Sequence, residues 1–360
     1  MKRAVIGMDG FVDEVVYVVD QRTSKDDFTR VATIKDYADR IAQGAGLSTN
    51  VEIVTIQKKI GGNGPIYAQG LKNMGVEITY IGSIGDGEVH PVFKEFSEGI
   101  EAYCIAEPAQ TDAMEFCDGK IIRSKLSSLD AISWDAMVAQ VGLERMSELY
   151  DQADLISFNN WTMVLNMNGI WEGFLKQIVP GLKSRLEDKI VFLDLADPQK
   201  RTDGDIGKAL GWIRGFEAAG FRTILGLNLK EAIEILMVLQ GKDRAVLPNM
   251  NLREIVEQIA GYLNLWCITV HPTDRAACWR DGQYWECAGP YCTCPVLTTG
   301  AGDAYNAGFV YGELSGRAPE ECLKLGAASS GFYVRNGRTA QKQELEQFMN
   351  LWQQGKLQEG

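Results

Sequence analysis

The sequence predicts an α/β fold in which the strands of a mostly parallel sheet alternate with helices. Short apolar runs flanked by polar residues are typical of strands buried on both faces of such a sheet. These runs lie at residues 153–158, 190–195, 223–227 and 267–270. The segments between them are long enough for helices, for example 169–185 and 230–239. This alternation favours parallel strands connected by helices.

The composition is that of a globular protein with a large core and an acidic surface. The chain has 360 residues, of which 46% are hydrophobic, and a formal net charge of −12 at pH 7. The negative charge disfavours nucleic acid and anionic membranes as partners, and no apolar run is long enough to span a bilayer. The first residues show no signal-peptide pattern. We therefore expect a cytoplasmic protein with one domain over residues 1–360.

Eight cysteines raise the question of a metal site. Cys287, Cys292 and Cys294 lie close together, but the chain has only two histidines and the spacing fits no common zinc motif. A disulfide framework is not expected in a chain of this length in a reducing compartment. We expect free thiols.

A first glycine-rich turn lies in the N-terminal part of the chain. It follows a β-rich segment at residues 51–60 and reads Gly61-Gly62-Asn63-Gly64-Pro65. Pro65 fits the first position of a helix. Asn63 either caps this helix or contacts a ligand, and the paired glycines indicate a hinge or a close backbone approach. Asp13, after the first strand-like run, is either a solvated loop acid or a carboxylate that binds ligand hydroxyls.

Polar side chains follow the predicted parallel strands. Asn160, Asp194, Asn228 and His271 each lie at or just after the end of an apolar run. Because ligands bind at the carboxyl ends of the strands in open parallel sheets, we expect these residues to converge on one edge.

The most informative motif lies near the C-terminus and reads Thr298-Thr299-Gly300-Ala301-Gly302-Asp303. The apolar positions after it predict a helix that starts here. A helix N-terminus presents unpaired N–H groups and the positive end of the helix dipole, which suits phosphate. Asp303 is then either a helix cap or a general base that takes a proton from a hydroxyl group attacking phosphorus.

Three common nucleotide-binding patterns are absent from the sequence. There is no G-x-x-x-x-G-K-[ST] motif, which excludes a P-loop kinase, and the protein-kinase motifs are also missing. The first strand is not followed by G-x-G-x-x-G, which excludes a dinucleotide-dependent oxidoreductase of the Rossmann type.

The two glycine motifs, in this order and at this separation, resemble those of the ribokinase-like (PfkB) family of sugar and nucleoside kinases. Asn228 and Glu231 match a further Asn-x-x-Glu motif of that family. The resemblance implies a three-layer α/β/α sandwich around a mostly parallel central sheet, with a small β-lid from about residues 14–17, 51–60 and 104–123. It also implies a homodimer through the lid as one possible assembly.

The resemblance further implies roles for individual residues. Asp303 would be the general base. The other implied sites are an anion hole at Gly300, Ala301 and Gly302, an acceptor site at Asp13, Gly62 and Asn63, a nucleotide site at Asn228 and Thr269, and Mg²⁺ held through water by Glu231.

We therefore expect an ATP- and Mg²⁺-dependent phosphotransferase that acts on a hydroxyl group of a small sugar or sugar derivative. The alternatives are a nucleoside kinase of the same family and a catalytically inactive sugar-binding regulatory protein. Leu297 replaces an aspartate that helps many members hold a monovalent cation, so we expect weak or no activation by K⁺. Phe11 and Ile66 stand where sugar-binding relatives such as ribokinase have asparagines, which argues against ribose.

Overall fold

The computed structural model describes residues 1–244 and 249–357. Within these ranges the strands are β1 (Arg3–Gly7), β2 (Phe11–Arg22), β3 (Phe28–Arg30), β4 (Ile53–Gly61), β5 (Glu77–Gly82), β6 (Gly85–Asp86), β7 (Glu101–Ala106), β8 (Ala109–Phe116), β9 (Gly119–Lys125), β10 (Leu155–Phe158), β11 (Ile190–Asp194), β12 (Arg222–Leu227), β13 (Cys267–Val270), β14 (Arg275–Arg280) and β15 (Gln283–Ala288). The helices are α1 (Ile34–Gln43), α2 (Asn63–Asn73), α3 (Lys94–Ser97), α4 (Trp134–Val141), α5 (Leu143–Gln152), α6 (Met167–Gly173), α7 (Asp203–Ala219), α8 (Leu229–Leu239), α9 (Leu252–Leu263), α10 (Ala301–Leu314), α11 (Pro319–Asn336) and α12 (Lys342–Gln353).

The larger sheet has the strand order β15-β14-β13-β12-β11-β10-β1-β5-β7-β6. The strands from β13 to β7 in this order are all parallel. Antiparallel strands extend both edges, β14 and β15 at one edge and β6 at the other. The prediction of a mostly parallel sheet is therefore confirmed.

Side chains of the central strands alternate between two apolar cores, one on each face of the sheet. On β1, Ala4 and Ile6 pack into one core and Val5 into the other. Helices α4 to α9 cover the face of Val5, whereas α2, α10, α11 and α12 cover the opposite face. Because both faces are covered, the strands read as continuous apolar runs. This arrangement is the three-layer sandwich that the family resemblance implies.

Two helices differ from the sequence prediction. In the segment 169–185, α6 ends at Gly173, and a π-helical turn and a 3₁₀ turn containing Pro180 follow. Proline lacks an N–H donor and clashes with the preceding turn, so a regular helix cannot continue through it. Helix α2 begins at Asn63 with Gly62 as its N-cap, two residues before the predicted start at Pro65. Asn63 is therefore not the cap of this helix.

The helices also bear on the membrane prediction. No helix within the described residues is both long and apolar enough to cross a bilayer. Helix α11, with 18 residues, includes Glu320, Glu321 and Arg335.

A smaller sheet is built from β3, β2, β8 and β9, with β4 also paired to β2. Val16 and Phe116 belong to its own apolar cluster, and Tyr37 of α1 packs 5.5 Å from the Phe116 ring, measured between ring centroids. The expected lid range 104–123 begins too early, because residues 104–106 belong to β7 of the larger sheet. The strand that joins the smaller sheet is β8, which starts at Ala109.

Two chain connections between the sheets lie beside the carboxyl end of β1. Residues 8–10 lead from β1 into β2, and the turn at Gly62 leads from β4 into α2. The polar residues at this edge form the site described next.

Candidate active site

The C-terminal glycine motif forms the start of helix α10. Gly300 is the N-cap residue with φ +94°, a conformation that glycine adopts without the steric cost of a side chain. The space around it is closed, since a Cβ atom on Gly300 would lie 2.5 Å from the Tyr333 hydroxyl and 2.8 Å from Ile66. Tyr333 also donates a hydrogen bond to the carbonyl oxygen of Thr299 at 3.0 Å. The first turn of α10 is thereby held against α11.

The backbone N–H groups of this turn are only partly available to an anion. The N–H of Ala301 donates to the carbonyl oxygen of Thr298 at 3.1 Å. Among residues 1–244 and 249–357, no acceptor is bonded to the N–H of Gly302 or Asp303, as is usual for the first residues of a helix. The anion hole predicted at Gly300, Ala301 and Gly302 thus has one donor, that of Ala301, already engaged within the loop.

The carboxylate of Asp303 is buried. Its Oδ1 accepts a hydrogen bond from Nδ2 of Asn63 at 2.9 Å, and the N-cap position of the helix is held by Gly300. Burial, together with the nearby carboxylates of Asp194 and Asp9, raises the pKa of Asp303 well above its usual range. The interpretation of Asp303 as a helix cap is therefore wrong.

Asp9 and Asn160 extend this network into the protein. Both are almost fully buried. Asp9 accepts hydrogen bonds from the backbone N–H groups of Asn63 at 2.9 Å and Gly64 at 2.8 Å, and from Nδ2 of Asn160 at 2.8 Å. Burial raises the pKa of Asp9 to about 6 although these donors favour its ionised form.

A third buried acid, Asp194, ends strand β11. Its Oδ2 accepts a hydrogen bond from Nδ2 of Asn306 on α10 at 2.9 Å, and the Oδ1 atom of Asn306 has no partner in the described part of the chain. Burial and the charge of Glu231 raise the pKa of Asp194 well above its usual range. Four carboxyl groups, those of Asp9, Asp194, Glu231 and Asp303, therefore share one buried region, where their mutual repulsion disfavours the ionised forms.

The Asn-x-x-Glu motif forms a capping box at the start of α8. Oδ1 of Asn228 accepts the N–H of Glu231, and Oε2 of Glu231 accepts the N–H of Asn228, each at 2.9 Å. The other carboxylate oxygen of Glu231 accepts the N–H of Asp197 at 2.9 Å. Both oxygens thus have backbone donors, and burial is the main cause that raises the pKa of Glu231.

A cavity of about 390 Å³ lies between the smaller sheet and α10. The predicted acceptor residues Asp13, Gly62 and Asn63 line it together with Asp303. Asp13 packs directly against Gly61, where a Cβ atom would lie 2.4 Å from its carboxylate. Burial raises the pKa of Asp13, and the neighbouring Lys59 and Lys120 oppose this shift.

A second cavity of about 580 Å³ lies on the other side of the same turn. Its lining includes Asn228, Ala301 and Gly302, but not Thr269. Thr269 is fully buried and its hydroxyl group is hydrogen-bonded to that of Tyr305 at 2.7 Å. The structure therefore does not bring Thr269 to the cavity, and His271 on the following loop lines it instead. Desolvation lowers the pKa of His271 to about 4.

Metal ligands are sparse in this region. Within the described residues, no group of three or more His, Cys, Asp or Glu side chains is arranged to hold a metal ion. All eight cysteines are free thiols.

A model of the prokaryotic ketohexokinase family matches residues 1–352 of the chain. The chain belongs to the prokaryotic ketohexokinase family. This membership confirms the ribokinase-like resemblance and the carbohydrate-kinase class that the motifs predict.

Individual relatives agree with this assignment. The ketohexokinase-family chain is 27% identical to a ketohexokinase of Haloferax volcanii over 96% of its own length and 90% of the relative's. It is 28% identical to an uncharacterised sugar kinase of Archaeoglobus fulgidus over 71% and 91% of the two chains. Among solved structures, Arabidopsis thaliana ribokinase with ribose and ATP has a TM-score of 0.64 at 16% identity, with 97% and 98% of the chains covered. This last likeness bears on the fold.

Sequence reasoning named Asp303, Asn63 and Asp13 but missed Asp9 in this ketohexokinase-family site. Asp9 follows β1 at the carboxyl edge of the sheet, which is the criterion that drew attention to Asn160. A search for polar residues directly after the first strand would therefore have identified Asp9.

Proposed function

We propose that this protein transfers the γ-phosphoryl group of ATP to a primary hydroxyl group of a ketohexose, with Mg²⁺ as the metal. The observation that carries the proposal is that the first turn of α10 lines both cavities, with Asp303 at one and Gly302 at the other. The ketohexokinase of Haloferax volcanii supports the choice of a ketohexose. The apolar side chain of Ile66, which lines the smaller cavity, adds support because it disfavours ribose. Phe11, the other residue that replaces an asparagine, is buried in the core and does not line the cavity.

In the proposed reaction, Asp303 is the general base. The acceptor oxygen forms a bond to the γ-phosphorus, the bond from phosphorus to the ADP oxygen breaks, and the hydroxyl proton passes to the carboxylate of Asp303. An aspartate is a sufficient base, because the hydroxyl group acidifies as it attacks. The free N–H groups of Gly302 and Asp303 and the dipole of α10 would stabilise charge on the phosphoryl oxygens.

The two cavities would hold the two substrates. Asp13, Gly62 and Asn63 would bind hydroxyl groups of the sugar, and their common position on the wall of the smaller cavity supports this role. Asn228 would contact the nucleotide in the larger cavity. Thr269 is replaced in this role by His271, which faces the nucleotide side as a neutral imidazole.

Mg²⁺ fits the charge of the site. The neighbouring buried carboxyl groups disfavour one another's ionised forms, and a cation would offset this repulsion. The unpartnered Oδ1 atom of Asn306 is a further oxygen that could face the ion or its water. Glu231 and Asp194 would hold the ion through water, in keeping with the few protein ligands that Mg²⁺ needs beside phosphate oxygens. When bound, Mg²⁺ neutralises charge on those oxygens. With Leu297 in place of a carboxylate, we expect a monovalent cation to contribute little.

The smaller sheet would act as the lid over the acceptor cavity and as a dimer surface. Its strand β4 carries Ile53 and Ile56, which are 38% and 49% exposed. Burial of these side chains against a second copy would remove apolar surface from water. A single monomeric species in sedimentation equilibrium at every concentration tested would rule out the dimer.

The test of function is ADP release from ATP and Mg²⁺ over a panel of ketohexoses, other sugars, sugar phosphates and nucleosides. We expect a ketohexose to give the highest kcat/KM, and Asp303→Asn to abolish the reaction. Asp135→Asn is the matched control, since Asp135 also lies in the first turn of a helix but is exposed and lines neither cavity.

The other outcomes decide between the alternatives. A nucleoside that outcompetes every sugar would identify a nucleoside kinase. If no acceptor stimulates ADP release but a sugar raises the melting temperature, the protein is a sugar-binding protein without catalysis. Full activity of Asp303→Asn would refute the role of Asp303.

A further inference from the structure

We propose that Asp9 and Asn160 are positioning residues that hold the amide group of Asn63 in the orientation in which it donates a hydrogen bond to Asp303. The proposal rests on the proposed role of Asp303 as the base. Neither Asp9 nor Asn160 lines the acceptor cavity within the described residues. Both therefore act through Asn63.

The side-chain amides of Asn160 and Asn63 donate hydrogen bonds in one direction, from Asn160 to Asn63 and from Asn63 to Asp303. The backbone N–H of Met163 donates to Oδ1 of Asn160 at 3.2 Å, which turns Nδ2 of Asn160 away from that contact. This Nδ2 donates to Oδ2 of Asp9 at 2.8 Å and to Oδ1 of Asn63 at 3.1 Å. With its oxygen engaged, Asn63 directs its own Nδ2 to Asp303 at 2.9 Å. A flipped amide at either asparagine would set acceptor against acceptor, so one orientation is favoured.

Asp9 also fixes the backbone that carries Asn63. Its carboxylate accepts the N–H groups of Asn63 and Gly64, the first two residues of α2. Gly62, the N-cap residue, has no side chain to bind them, so Asp9 supplies the missing cap from another part of the chain. The close approach requires glycine, because a Cβ atom on Gly62 would lie 2.9 Å from Oδ2 of Asp9.

The hydrogen bond from Asn63 matters because Asp303 is surrounded by negative charge. The carboxylates that face it are those of Asp9, Asp194 and Glu231, and burial adds to their effect in favouring the protonated acid. The amide donor opposes them, since a donor stabilises the ionised form. A base must be ionised to accept a proton. Loss of the donor would raise the pKa of Asp303, so that activity, as the pH is lowered, would be lost at a higher pH than in the parent.

The test removes the amide of Asn160 without changing any charge. Asn160 has φ +66°, so Asn160→Gly leaves the backbone unstrained. We expect the pKa of Asp303, measured by NMR titration of the unliganded protein and assigned with Asp303→Asn, to rise by about one pH unit. On the acid side of the pH profile, kcat should then fall about tenfold. Adding Asn63→Ala should raise the pKa no further.

Thr162→Val is the matched control. Thr162 is buried beside this network, and its hydroxyl group has no partner in the described residues. The substitution keeps the volume, so we expect the parent's pKa and kinetics.

Two results would overturn the proposal: an unchanged pKa of Asp303 in folded Asn160→Gly, or additive rises in the double variant. If Asn160→Gly does not fold, Asn63→Ala alone tests the hydrogen bond from Asn63 to Asp303. It should raise the pKa of Asp303 by the same amount, and an unchanged pKa in this variant would refute the proposal. The titration of Asp303 needs no turnover. Lack of kinase activity in the parent would therefore count against the proposed function and not against the positioning of Asn63 by Asp9 and Asn160.

Discussion

The side chain of Asp303 shows how one residue type can serve two purposes at a helix start. Aspartate is a common N-cap, but here Gly300 holds the cap position and the Asp303 carboxylate accepts the amide of Asn63. The motif alone allows a cap at either residue. In the structure Gly300, with φ +94°, holds the N-cap position three residues before Asp303, and Asp303 lines the smaller cavity.

Gly300→Ala should separate backbone strain from active-site geometry. Gly300 and Gly142 are both N-cap residues, with φ +94° and +84°. Alanine at either position should cost about 1–3 kcal/mol of unfolding free energy. A Cβ atom would meet the Tyr333 hydroxyl at 2.5 Å in Gly300→Ala but nothing within 4 Å in Gly142→Ala. We therefore expect only Gly300→Ala to lose kcat, measured beside urea unfolding of both variants. Equal kcat in the two variants would contradict the close fit of this turn.

At the scale of elements, strand β9 reaches from the smaller sheet to the loop before α10. Nζ of Lys120 donates a hydrogen bond to the hydroxyl group of Thr299 at 3.0 Å, and its charge also acts on Asp13. A movement of the smaller sheet would change the position of this ammonium group relative to both residues. Lys120 therefore links the proposed lid to the proposed phosphate loop.

Lys120→Met should weaken this link without a large loss of packing. We expect kcat/KM for the sugar to fall about tenfold, equivalent to about 1.4 kcal/mol for one charge-assisted hydrogen bond. Lys125→Met is the matched control, because Lys125 lies on the same strand, is exposed and lines neither cavity. Steady-state kinetics of both variants would measure the effect. If the two variants behave alike, Lys120 contributes only to the surface.

At the scale of the whole molecule, local sequence patterns predicted the structural features that are determined by neighbouring residues in the chain. The apolar runs identified the parallel strands, since a strand buried on both faces carries its own signal, as at β11. The start of the smaller sheet was placed too early, because strand membership depends on pairing between distant segments. Asp9 and Asn160 come together across 151 residues, and Thr269 is enclosed by Tyr305 of α10. Contacts between residues so far apart in the sequence produce no motif with a fixed spacing, so the sequence alone does not reveal them.

The buried carboxylates also make the stability of the unliganded protein depend on pH. Burial raises the pKa of Asp9 from 3.8 to about 6, so the folded state binds more protons than the unfolded chain between these values. The stabilisation is fully present below about pH 4 and is lost as the pH rises through about 6.

Asp9→Asn should isolate this contribution. The free energy of unfolding of the parent relative to the variant should fall by about 3 kcal/mol between pH 4 and pH 8, since each pKa unit is worth about 1.4 kcal/mol. Urea unfolding of both proteins over this range measures the difference. If it does not change with pH, Asp9 stays ionised throughout. The donors from Asn63, Gly64 and Asn160 would then offset the whole cost of burying its charge.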